Sequence, residues 1–186
     1  MRYSESDNLA VGIQHLLQAR EVARSIRGAP VVDASTTPRR RQDFDMIFLL
    51  AYPSKARQIM PMLRYYYAGD VPVYATSAAY SGASNAQKDR DLEGLIFCDM
   101  PWVFHHQMGH KNWPEQWNSY NRLFALGNDS FMLATRLNQL LLFPAIGLGD
   151  GSGALYMNAN QQIARVLAWG QMKQGMPQEV TLGFVS

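Results

Sequence analysis

Apolar residues recur along this chain first at helical spacing, then in an unbroken run, then at helical spacing again. Leu9, Ile13, Leu16, Ala23 and Ile26 fall mostly on one face of a helix. Asp7 or Asn8 can cap it, and it is expected to reach about Arg27, with residues 18–20 as the place where it would divide in two. Gly28 and Pro30 stop it, and residues 34–41 form a polar loop. Residues 44–51, FDMIFLLA, are nearly all apolar. Such a run predicts a strand buried on both faces, as in a parallel sheet covered by helices.

Ser54 follows as the expected cap of the next helix, in which Ala56, Ile59, Met60, Leu63 and Tyr67 keep helical spacing. Pro61 lies inside that helix, where it removes one backbone donor, and Gly69-Asp70 ends it. Residues 71–75, VPVYA, read as a second strand. Strand, helix and strand within so short a stretch make a βαβ unit with a right-handed crossover. A polar loop over 77–91 leads to a third short strand at 94–97. Residues 101–118 read as irregular, helices are expected at about 115–125 and 129–143, and a glycine-rich turn at 147–153 precedes a hairpin of 154–157 with 163–170. The predicted fold class is therefore α/β, in a single domain over 1–186.

Composition narrows the function. Of 186 residues, 47% are apolar and 17% charged, which is the balance of a packed domain. The net charge is +2, and Arg39, Arg40 and Arg41 are answered by Asp43 and Asp45, so no nucleic-acid surface is expected. The single cysteine cannot form an internal disulfide. The longest apolar runs are too short to span a bilayer. The opening MRYSESDNLA has neither an apolar signal region nor a lipid-attachment cysteine, so any export address is expected upstream.

Candidate chemistry is sparse. Cys98 ends an apolar strand beside Asp99 and before Pro101, a setting that suits a packed thiol better than a nucleophile, and slow native labelling is expected of it. His105, His106 and His110 do not share one helix face, so solvent-exposed loop histidines are expected in place of a metal site. The run GLGDGSG lacks the Lys-Ser/Thr of a phosphate loop and follows no buried strand, which leaves a turn. No catalytic residue, metal site or cofactor loop is assigned. The best candidate surface lies at the carboxyl ends of the first two strands: Tyr52, Ser54, Thr76, Ser77 and Tyr80. Their hydroxyls and rings suit a small polar ligand or a peptide-like partner. Equally, Ser54 caps a helix and Ser77 makes a turn, and the two readings stay open.

Taken together, PRRRQDFDMIFLLAYPSKARQIMPMLRYYYAGDVPVYATSAAYSG, DLEGLIFCDMPW and LFALGNDSF resemble the LpoA-like (LppC/YraM) outer-membrane lipoproteins, from about Pro38 to Pro177. The resemblance implies a Rossmann-like lobe of a type I periplasmic-binding-protein-like fold. That lobe would be the second of a two-lobed C-terminal domain, with the segments that cross between lobes; FCDMPW would be the strand leaving it. It also implies a periplasmic, non-enzymatic activator of a peptidoglycan synthase, a class A penicillin-binding protein. Membrane contact would come only through a lipid anchor outside this chain. At 150–153 the chain has DGSG where the family has a Gly-Ala-Thr-Gly type of turn. The alternative is a solute-binding module for an amino acid or a cell-wall fragment. A flavodoxin-like redox protein would need a phosphate-cradling loop that is not found.

Overall fold

The computed structural model describes residues 8–18, 40–83, 85–105, 119–149 and 151–181. Helix α1 spans Leu9–Leu17, capped by the Asn8 side chain, which accepts from the Ala10 and Val11 amides. Gln18 closes it in the left-handed conformation, so the described helix stops well short of Arg27; residues 19–27 lie outside the described residues. Leu9, Ile13 and Leu17 are its buried face, with Leu17 taking the core position expected of Leu16.

Strand β1 (Ile47–Leu49) leads into α2 (Pro53–Tyr65) and β2 (Val73–Ala75). β3 (Ile96–Asp99) follows after short helical turns over 77–79 and 90–92 and helix α3 (Ala86–Asp89). β1 pairs with β2 and β2 with β3, all parallel, which is the anticipated βαβ arrangement. Pro61 lies inside α2, four positions from the nearer end, as the spacing requires. The start of α2 differs from expectation. Tyr52 is the cap and Pro53 the first helical residue, where its fixed φ is already helical and its missing donor costs nothing. Ser54 therefore makes no cap. The end differs too: Tyr67, at φ 64°, takes the left-handed turn expected of Gly69-Asp70, and Tyr66 is buried in its place. Arg40 holds that strained residue, donating to the Tyr67 carbonyl (2.7 Å) and to Asp70 (2.6 Å).

After the short α4 (Pro101–Phe104), helical residues run over Ser119–Leu142 (α5) in two segments that meet at a kink, so the division expected between 125 and 129 falls further along. Its irregularity sits at Arg136, not at Gly127-Asn128. The run expected as one strand at 163–170 divides. β5 (Ile163–Val166) pairs with β4 (Ala154–Met157) in a small hairpin, while β6 (Ala168–Lys173) joins the main sheet. β7 (Met176–Glu179), which the hydrophobic pattern did not announce, completes it in the order β1-β2-β3-β6-β7. Gln174 and Gly175 both have positive φ in the tight turn between β6 and β7, as a two-residue hairpin requires.

The core lies on one side of this sheet. Leu49, Val73, Ala75, Leu95, Phe97 and Met172 meet Ala56, Ile59, Met60 and Leu63 of α2 and the buried face of α1 in one cluster. The opposite side of β1 is open: Met46, Phe48 and Leu50 are more than half exposed. The expectation of a strand buried on both faces is thus corrected, because among the described residues helices cover only one of them. Phe97 is fully buried between Tyr80 and Phe104, with ring centroids 5.5 and 5.6 Å away. Replacing it by alanine removes the centre of that stack. Phe97→Ala is expected to lower the unfolding free energy by about 3–5 kcal/mol in urea titration.

Candidate functional site

The carboxyl ends of β1, β2 and β3 converge on one edge of the domain. Tyr52 and Ser54 stand there exposed at the start of α2, and Ser77 is half-buried in the turn after β2. Thr76 and Tyr80 turn inward. The Thr76 hydroxyl is buried, and Tyr80 is 1% exposed with its ring on Phe97. Neither hydroxyl has a hydrogen-bond partner among the described residues. Of the five residues marked by sequence, Tyr52 and Ser54 are exposed, Thr76 and Ser77 half-buried, and Tyr80 buried. Burial is the main cause that drives the Tyr80 phenol well above its ordinary value, and the nearby Asp89 charge adds to it.

Arg122 of α5 does what sequence reasoning missed. Its guanidinium donates to both oxygens of Asp99 (3.0 and 2.5 Å) and to the carbonyls of Ser77 (3.2 Å) and Tyr80 (3.0 Å). Asp99 is 1% exposed and also accepts from the Met100 amide at 2.8 Å. One side chain thus ties α5 to the end of β3 and to the turn after β2. A second pair supports the same loop from behind: Arg57 of α2 donates to Asp89 at 2.8 and 3.0 Å, and the other Asp89 oxygen accepts from the Asn85 amide. The signal was present in part. Phe97 and Asp99 share a strand face, so a carboxylate on the core side demanded a cation. Which arginine would supply it is a question of tertiary structure.

Cys98 points away from this edge. It is half-buried inside β3, one residue before the strand's end, on the face opposite Asp99. Asp99 therefore acts on Arg122, not on the thiol. His105 bonds to Glu179 at 2.7 Å, and His106 and His110 lie outside the described residues. Among the described residues no group of His, Cys, Asp and Glu is placed to hold a metal, and no helix is long and apolar enough to cross a membrane. The glycine-rich run is a turn that wraps a carboxylate. Asp129 of α5, buried, accepts from the Ser152 amide at 2.7 Å. A Cβ at Gly149 or Gly151 would stand 3.3 or 3.2 Å from its oxygens. The Gly151 carbonyl accepts from the Trp102 amide, so the turn also fastens α4.

Both the sequence and the fold of this chain are similar to known proteins. Residues 2–175 match the family described as "LppC putative lipoprotein". Among curated proteins, the penicillin-binding protein activator LpoA of Vibrio antiquarius is 27% identical over 148 residues, covering 75% of this chain and 24% of that protein. LpoA of Vibrio vulnificus is 26% identical over 169 residues, covering 87% and 27%. This chain thus spans about a quarter of the length of these relatives. Among solved structures, the C-domain of LpoA from Haemophilus influenzae, described as a regulator of PBP1A, superposes with a TM-score of 0.59 at 21% identity. That superposition covers 97% of this chain and 51% of the other. A Chromobacterium violaceum protein described as "a putative branched-chain amino acid ABC transporter" gives a TM-score of 0.50 at 27% identity, over 75% of this chain and 50% of the other. The fold is a mixed α/β one with a parallel sheet, similar to type I periplasmic binding proteins.

Two substitutions test the site's construction. Arg122→Ala leaves the Asp99 carboxylate buried without its cation and is expected to cost about 3–5 kcal/mol in chemical denaturation. Tyr80→Phe removes a buried hydroxyl that has no partner among the described residues, so little stability should be lost at neutral pH. The folded chain holds the Tyr80 proton where an unfolded chain releases it. Stability therefore falls as pH rises above the ordinary phenol value of 10.0. Melting profiles taken from neutral to strongly alkaline pH should show a shallower alkaline decline for Tyr80→Phe than for the wild type.

Proposed function

We propose, from the fact that this chain belongs to the LppC family, that it is part of a non-enzymatic regulator of peptidoglycan synthesis. In this reading the parent protein is an outer-membrane lipoprotein facing the periplasm. The chain supplies the second lobe, with crossing segments, of a two-lobed C-terminal domain. Its partner is a bifunctional class A penicillin-binding protein. The observation that carries the reading is the likeness to the LpoA C-domain over 97% of the chain, in a fold where the strand ends present no nucleophile and base together among the described residues.

The way such a protein acts follows from linkage. A regulator shifts its partner only if it binds the active state more tightly than the inactive one. Couplings of about 1–3 kcal/mol change an equilibrium roughly 5- to 150-fold. Beside the edge carrying Tyr52, Ser54 and Ser77, Arg122 bonds the Ser77 and Tyr80 carbonyls and Arg57 bonds Asp89. Peptide crosslinking by the cognate synthase is expected to rise several-fold when the full-length protein is added. An unchanged crosslinking rate, with no binding of the synthase, rejects the reading.

A second reading has its own support in the likeness to the Chromobacterium violaceum transporter protein: a module that holds an amino acid or a cell-wall fragment. It takes over if the full-length protein leaves the synthase unaffected but is stabilised by such a ligand, by about 2.7 kcal/mol at 100 times the dissociation constant.

A further inference from the structure

Charge balance separates the buried aspartates. Asp89 has Arg57 and Asp99 has Arg122. Asp129 of α5 is 1% exposed, yet no ion pair joins it among the described residues. Its Oδ2 accepts the Ser152 amide at 2.7 Å, while its Oδ1 has no hydrogen-bond partner among the described residues. Ser152 is 0% exposed, and its hydroxyl has no such partner either. One turn thus holds two buried oxygens without partners, one of them on a carboxylate. The turn also keeps space against that carboxylate. A Cβ on Gly149 or Gly151 would stand 3.3 or 3.2 Å from the Asp129 oxygens, and Gly149 has φ 81°, a backbone that other residues rarely adopt. A buried carboxylate is costly unless it is paired or holds a metal ion. One amide bond satisfies an oxygen and leaves the charge unanswered.

We propose that the turn around Asp129 and Ser152 binds a monovalent alkali cation, sodium or potassium. Asp129 Oδ1 supplies the negative charge and the Ser152 hydroxyl a neutral oxygen; backbone carbonyls and water would complete the shell. These are hard donors, which suit alkali and alkaline-earth ions in preference to the softer transition metals. Charge count then favours the monovalent ion. A single carboxylate neutralises a single positive charge, whereas tight calcium sites draw on several, and no group of three acidic or histidine side chains gathers among the described residues. The ion would act as a clasp. Asp129 lies on α5, the Gly151 carbonyl holds the Trp102 amide of α4, and Leu148 pairs with Leu155 of β4, so one bound cation would fasten three elements at this turn.

The test is amide hydrogen exchange of the full-length protein, read by mass spectrometry on the peptides carrying Ser152 and Trp102. Sodium chloride and potassium chloride are each titrated against choline chloride at constant ionic strength, choline being too large for the turn. At ten times the dissociation constant of the ion, exchange of both peptides should slow about tenfold and then follow the ion's concentration, while peptides of β1 and β2 stay unchanged. Asp129→Asn keeps the shape but not the charge and should abolish the dependence on the ion; Ser152→Ala should shift it to higher concentration. Should Asp129→Asn fail to fold, the wild-type ion series and Ser152→Ala still decide. Equal exchange in sodium, potassium and choline would overturn the proposal. Protection by calcium alone would overturn the monovalent assignment, and a salt effect that persists in Asp129→Asn would place the ion elsewhere and overturn the site. Neither the synthase nor a cleft ligand enters this readout, so the cation site and the regulatory reading stand or fall separately.

Discussion

A carboxylate sealed inside a protein has to be matched by positive charge, and Asp99 sets that requirement at the end of the central strand β3. Arg122 meets it, and in doing so fixes the position of everything around it. The same guanidinium takes the carbonyls of Ser77 and Tyr80, so the turn after β2, the end of β3 and the first half of α5 share one anchor. A lysine could not do this, because a single ammonium lacks the planar fork that reaches both carboxylate oxygens and two carbonyls at once. The candidate surface residues Tyr52, Ser54 and Ser77 owe their mutual placement to that anchor and to Arg57–Asp89 behind it. Both pairs set a charged group at least partly open to solvent against a buried one, so their worth lies in the penalty for separating them more than in the attraction itself.

The second constraint is steric. The Phe104 ring packs directly over Gly170 of β6 because that residue has no side chain: a Cβ there would stand 2.2 Å from the ring. Phe104 uses that gap to reach Phe97. The aromatic stack of Tyr80, Phe97 and Phe104 thus depends on a glycine in a strand far along the sequence. Glycine weakens a strand interior in isolation, and its presence here is explained by what it admits.

Much of this was legible in the sequence, and the reasons differ from element to element. The βαβ unit could be read because β1, α2 and β2 are local and their apolar periods are clean; Pro61 inside α2 followed from the same spacing. The one-sided burial of β1 could not, since FDMIFLLA is apolar at both alternations and only tertiary structure says which face is covered. Helices were expected at 115–125 and 129–143, yet the helix is continuous across 126–128, with Ala125 and Asp129 buried on either side, and the break lies at Arg136. The apolar run at 163–170 concealed a change of sheet, which no period-two pattern reveals. Of the candidate site, the residue types and their location at the strand ends were visible. The burial of Tyr80 and of the Thr76 hydroxyl was not, because it depends on tertiary packing against residues such as Phe97.

The antiparallel placement of β6 beside β3 has a consequence in time. β3 pairs with residues that lie about 70 positions further along the chain. Contacts so distant in sequence form slowly, since a long loop must close before they contribute. A folding chain would carry β1, β2 and β3 as an incomplete parallel sheet until β6 had joined. During that interval the strand edge of β3 is available to whatever lies nearby.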